Sequence, residues 1–113
     1  MEFNHHGMDG IQVLILDGRL DSEAAVELKQ RVKKMVRNGP ASLVLDMTAV
    51  SYVDSAGLGV LVACLRTVTA KEGDLKLSGL SPQLKSVFEL TRLHGLFEIY
   101  PTSAEAVRSF EAD

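Results

Sequence analysis

Hydrophobic positions along the chain alternate between two textures: short, nearly continuous aliphatic runs and longer stretches with apolar residues every three or four positions. Ile11 to Leu16 (Ile-Gln-Val-Leu-Ile-Leu) is the first run and reads as a strand covered on both faces. Asp9-Gly10 before it is a hairpin signal, so residues 1–8 are expected to form an antiparallel edge strand or to derive partly from an appended tag. Asp21 and Ser22 offer N-caps for a helix with Ala25, Leu28, Val32 and Met35/Val36 on one face. Glu23 and Glu27 lie early in it and Lys29, Arg31, Lys33, Lys34 and Arg37 late, which suits the helix dipole. Asn38-Gly39-Pro40 ends it, with Gly39 expected in a left-handed cap.

The pattern then repeats. Ser42 to Met47 is a second buried strand, and a helix from about Ala56 to Ala70 follows Asp54-Ser55. Leu75 to Leu77 reads as a third strand. Ser81-Pro82 supplies a cap and a first-turn proline for a helix using Leu84, Val87, Phe88 and Thr91. Phe97 to Tyr100 is a short last strand, and Thr102-x-x-Glu105 is a capping box opening a final helix that buries Ala106, Val107 and Phe110. Strands alternating with helices imply right-handed βαβ units. The expected fold class is therefore α/β: one domain over 1–113, a mostly parallel sheet with an antiparallel edge strand, and about four helices.

Composition narrows the function. The 113 residues carry a net charge of −3 and include four Phe, two Tyr and no Trp, which disfavours a nucleic-acid binder with a basic patch and stacking aromatics. The longest apolar run, Ala56 to Leu65, is about half of what a membrane-spanning helix needs, and the N-terminus has no basic start or apolar signal core. With Cys64 as its single cysteine the chain forms no internal disulfide, which fits a reducing, cytoplasmic setting. Cys64 itself reads as a small core residue.

One segment stands out. Between Ala41 and Ala63 the only charges are Asp46 and Asp54. In the helix after Ser55, Leu58, Leu61, Val62, Leu65 and Val68 supply a core face at helical spacing. Ala56, Gly59, Val60 and Ala63 then fall on another face, where a surface helix would carry Lys and Glu. Small apolar residues there let another backbone approach, which points to a partner-docking face; the competing reading is that residues 1–8 or the last helix cover it. Ser55 stands at the turn into this helix, on the C-terminal rim of the sheet where functional groups gather. Capping alone also accounts for a serine there. Asp54 beside the hydroxyl and Gly57 and Gly59 around it favour a functional role.

Val53-Asp54-Ser55-Ala56-Gly57-Leu58-Gly59 resembles the phosphorylation segment of the STAS-domain anti-sigma factor antagonists, and Gly18-Arg19-Leu20-Asp21 resembles that family's turn into its first helix. The resemblance covers roughly residues 9–110. It implies that Ser55 is phosphorylated by an anti-sigma factor serine kinase, and that the unphosphorylated form binds this kinase and frees the sigma factor. It also implies that Asp21 and Asp54 lie near the phosphorylated serine; with Gly57, small beside Ser55, they are expected to support the site, and the face of Ala56, Gly59, Val60 and Ala63 is expected to meet the partner. Ala56 stands where many members have a second serine. Asp46 is expected on the same rim as Asp21 and Asp54. No cofactor, metal, nucleic acid or membrane insertion is implied.

Other chemistries are less well served. Ser55, Asp74 and His94 follow the serine-hydrolase order, but Val53 stands where a nucleophile elbow needs glycine. Gly57-x-Gly59 lacks the partners of a phosphate loop, and His5-His6 has no ligands at metal spacing. The alternative to the antagonist is an adaptor: a STAS-type subunit of a transport or signalling assembly that binds through the same helix without a kinase.

Overall fold

The computed structural model describes residues 1–111; residues 112 and 113, which the expected domain span includes, lie outside the described residues. Five strands, β1 (Glu2–Met8), β2 (Ile11–Leu20), β3 (Ser42–Val53), β4 (Asp74–Ser78) and β5 (Ile99–Tyr100), form one sheet in that order. β1 pairs antiparallel with β2 and the other neighbours are parallel, as expected. Four helices, α1 (Ser22–Asn38), α2 (Ser55–Thr69), α3 (Pro82–Leu90) and α4 (Ser103–Ser109), connect or follow the strands.

The hairpin signal was sound. Asp9 and Gly10 both take positive φ (53° and 80°), and Met8 pairs with Ile11 across the two-residue turn. Residues 2–8 thus form the edge strand. β2 and β3 are longer than their aliphatic runs, because Asp17–Leu20 pairs with Ala49–Val53 past two register shifts. This extension carries both strands to the rim where α1 and α2 begin.

Side-chain alternation sorts the core into two layers. Leu14, Leu16, Leu43, Leu45, Leu75 and Leu77 pack beneath α1, α2 and α3. Ile11, Val13 and Val44 face the other way and are covered by Ala106 and Val107 of α4, with Phe110 packed alongside. On that second face Lys76 is buried, its Nζ donating to Ser109 Oγ at 2.7 Å and lying 4.3 Å from the centroid of the Phe110 ring.

The caps follow the sequence closely. Asp21 Oδ1 accepts from Ala24 N, Ser81 Oγ from Leu84 N and Thr102 Oγ1 from Glu105 N. Some local expectations fail: the last strand is Ile99–Tyr100 only, with Phe97 in the preceding bend and buried in the core. Gly39 is extended (φ −163°) rather than left-handed, and lies against the Gln12 amide. Thr91 is an exposed C-cap rather than a core residue, its Oγ1 donating to the Val87 carbonyl. Cys64 is buried in the core, and burial pushes its thiol pKa up to about 12, so it stays protonated and inert at neutral pH.

Candidate functional site at the rim of the sheet

β2 and β3 end side by side, with Leu20 paired to Val53, and each runs directly into a helix through an aspartate. The Asp54 amide donates to the Leu20 carbonyl (3.4 Å), which ties the two helix starts together. Asp54 Oδ1 accepts from Gly57 N at 2.9 Å and caps α2; Asp21 does the same for α1. Both aspartates therefore serve as caps, each satisfying amides that a helix start leaves without partners.

That assignment changes the standing of Ser55. It is the first residue of α2, not its cap, and its side chain is exposed. Among the described residues no hydrogen bond involves its hydroxyl. Capping does not account for this serine. It stands at the positive end of the α2 dipole, where the first amides lack intrahelical acceptors and an anion is favoured.

Gly57 allows the arrangement. A Cβ at this position would lie 2.3 Å from the Leu20 carbonyl oxygen and 2.9 Å from Val53 Cγ1. Only a residue without a side chain lets the first turn of α2 sit this close to the end of β2. Gly57→Ala is expected to cost about 1–3 kcal/mol despite the better helix propensity of alanine, because backbone must move to admit the methyl group. Chemical denaturation of the variant checks this as a lower midpoint at unchanged slope.

The outward face of α2 differs from expectation in its rotation. Gly57, Val60, Leu61, Cys64 and Val68 are buried, whereas Ala56 and Gly59 are exposed and Ala63 is half-buried. Val60, expected to meet a partner, is only 7% exposed and belongs to the core. Val62 and Leu58, expected in the core, are half-buried beside the exposed strip. Because nearly every residue of α2 is apolar, hydrophobic periodicity could not fix the rotation. The close approach at Gly57 does. The face available to a partner is Ser55, Ala56, Gly59, Val62 and Ala63, with Arg66 at its far end.

Asp46 does not join this rim. It lies within β3 and turns to the α4 side, accepting from Ser103 Oγ (2.8 Å) and from the Thr48 amide (3.0 Å). Burial raises its pKa, but the hydrogen bonds from Thr48 and Ser103 outweigh that and hold the carboxyl below its usual value. Nor do the hydrolase candidates assemble. Asp74 opens β4 at the end where β3 begins, far along the sheet from the α2 start, with its carboxylate on the Leu75 amide. His94 Nδ1 is 3.3 Å from the Phe88 carbonyl at the end of α3. His5 and His6 point to opposite faces of β1, opposite Leu14 and Val13. No helix among the described residues is long and apolar enough to cross a membrane.

A mixed five-stranded sheet, antiparallel only at its β1–β2 edge and accompanied by four helices, is the architecture of a STAS domain. The STAS domain family model matches residues 2–106. The anti-sigma-B factor antagonist of Bacillus subtilis (strain 168) is 36% identical over 98 residues, which span 87% of this chain and 88% of that relative. That of Listeria monocytogenes is 31% identical over 105 residues, 93% and 91% of the two chains. An anti-sigma factor antagonist from Mycobacterium paratuberculosis superposes with a TM-score of 0.85 at 29% identity, covering 96% and 92%. This chain belongs to the STAS-domain family of anti-sigma factor antagonists.

Proposed function

We propose that this chain is an antagonist switched by phosphate on Ser55. Unphosphorylated, it docks through the outward face of α2 on an anti-sigma factor that is also a serine kinase, and so releases the sigma factor. The observation that carries the reading is that Ser55 is exposed and unbonded beside an apolar strip, while Asp54 performs the capping. A serine kept free where its neighbour already satisfies the helix start is available as an acceptor.

The chemistry asked of this chain is small. The Ser55 hydroxyl attacks the terminal phosphorus of ATP held by the partner, the bond to ADP breaks, and the hydroxyl proton leaves to a base. Nucleotide, metal and most of the charge stabilisation come from the kinase. This chain presents the hydroxyl on a rigid helix start and acts as the substrate. A cytoplasmic setting follows from such a partner.

Co-purification from the native host, followed by ATP and mass-spectrometric site mapping, tests the assignment. Phosphate on Ser55 that disappears in Ser55→Ala is the expected result. Phosphate on another residue, or a stable complex with a transporter subunit and no phosphorylation, overturns it.

A further inference from the structure

β1 pairs with β2 at the sheet edge, outside the β2–α1–β3 crossover. The flank of α1 and the β1–β2 hairpin border an open cavity of about 280 Å³ near the C-terminal end of α1. Its floor is Leu14 and Met35, both buried. Its back wall is the buried amide of Gln12, fixed by donating from Nε2 to the carbonyls of Met35 (2.9 Å) and Pro40 (2.7 Å). This volume lies just below the usual range of small-molecule sites and suits a compact ligand.

The rim has one sign of charge. Arg31 and Lys34, one turn apart on α1, supply it at the opening, His5 from β1 stands beside them, and no carboxylate lines it. Arg31 is held in place by Glu27 (2.9 Å) and by stacking 4.5 Å above the Phe3 ring. Lys34, by contrast, has no carboxylate within ion-pair distance among the described residues. A fixed guanidinium and an uncommitted ammonium thus stand over an apolar floor. Arg31 and Lys34 are exposed like the other cations of α1, but these two border a concavity.

We infer that this cavity binds a small amphipathic anion, a carboxylate carrying a short apolar chain. The chain lies along the groove above Met35 and over the aliphatic stems of Lys34 and Arg31, and the carboxylate meets Lys34 and Arg31 in charge-assisted hydrogen bonds. An inorganic anion forgoes the apolar contact, and a neutral alcohol of the same length forgoes the cations. The cavity lies at the opposite end of α1 from the Asp21 cap, so binding here does not depend on Ser55 or its phosphate.

Amide-resolved NMR titration of the intact chain with octanoate, octanol and inorganic phosphate tests the inference. Octanoate is expected to give saturable shifts at Gln12, Leu14 and Met35, with the other two probes weaker by about tenfold or more. Lys34→Gln, at an exposed position, is expected to fold normally and to weaken octanoate by about tenfold. Octanol binding as well as octanoate, phosphate alone reproducing the shifts, no saturation, or unchanged affinity in Lys34→Gln each overturn it.

Discussion

Phosphorylated on Ser55, the protein is expected to lose about a hundredfold or more in affinity for its kinase partner while melting within a few degrees of the unmodified form. Two terms oppose each other in the free protein. The α2 start favours a dianion by about 0.3–1 kcal/mol, or about 2 if the group is partly sheltered. The carboxylates of Asp54 and Asp21 at the two adjoining caps repel it, and these terms roughly offset. Asp46, turned to the far face of the sheet, does not add to the repulsion. In the complex there is no such balance. A partner laid on Ala56, Gly59 and Ala63 must strip water from a charge of about −1.5 to −2 at the edge of that strip, at a cost of several kcal/mol unless it is paired. A loss of about 3 kcal/mol already exceeds a hundredfold in dissociation constant. Calorimetric titration of both forms, with thermal melts of each, checks the pair of outcomes. Ser55→Ala should keep the affinity and Ser55→Asp should reduce it. A melt shifted by tens of degrees would instead mean that phosphate acts through the fold.

Much of the fold is legible in the chain, and the departures from expectation share a cause. The hairpin at Asp9-Gly10 and the caps at Ser81 and Thr102 depend on local chemistry, which sequence displays directly. The far half of β3 does not. Thr48 to Val53 is mixed in polarity, and becomes strand by pairing with β2, which takes its own extension from the same contact. Asp46 departs from the expected rim for a similar reason. Its position along β3 was readable, but the face it takes depends on the pleat, and on Ser103 from 57 positions later in the chain. The buried Lys76 also needs such a distant partner, Ser109. At the site the strip of small residues exists, and Asp21, Asp54, Ser55 and Gly57 lie at one rim. Which aspartate caps and which serine is free depends on how the start of α2 seats against the end of β2. That distinction is what separates a structural serine from an available one.

The rotation of α2 yields the second large effect, a contrast between neighbouring residues. Val60→Glu is expected to remove about 3–5 kcal/mol of stability, a large share of the total for a domain of this size, because it forces a carboxylate into the layer that holds Leu61 and Leu45. Gly59→Glu, one position earlier, is expected to do the opposite. Its site is exposed, nothing lies within 4 Å of a Cβ built there, and replacing a mid-helix glycine gains about 0.5–1 kcal/mol. The same glutamate puts a charged side chain in the middle of the docking strip and should abolish capture of the partner. Urea denaturation and pull-down on the two variants separate fold from docking. Val60→Glu should lose both, whereas Gly59→Glu should keep a midpoint at or above the parent and lose only the partner. If Gly59→Glu still binds, the outward face of α2 is not the interface, and the free hydroxyl of Ser55 must be reached from the β2–α1 side of the rim, past Asp21.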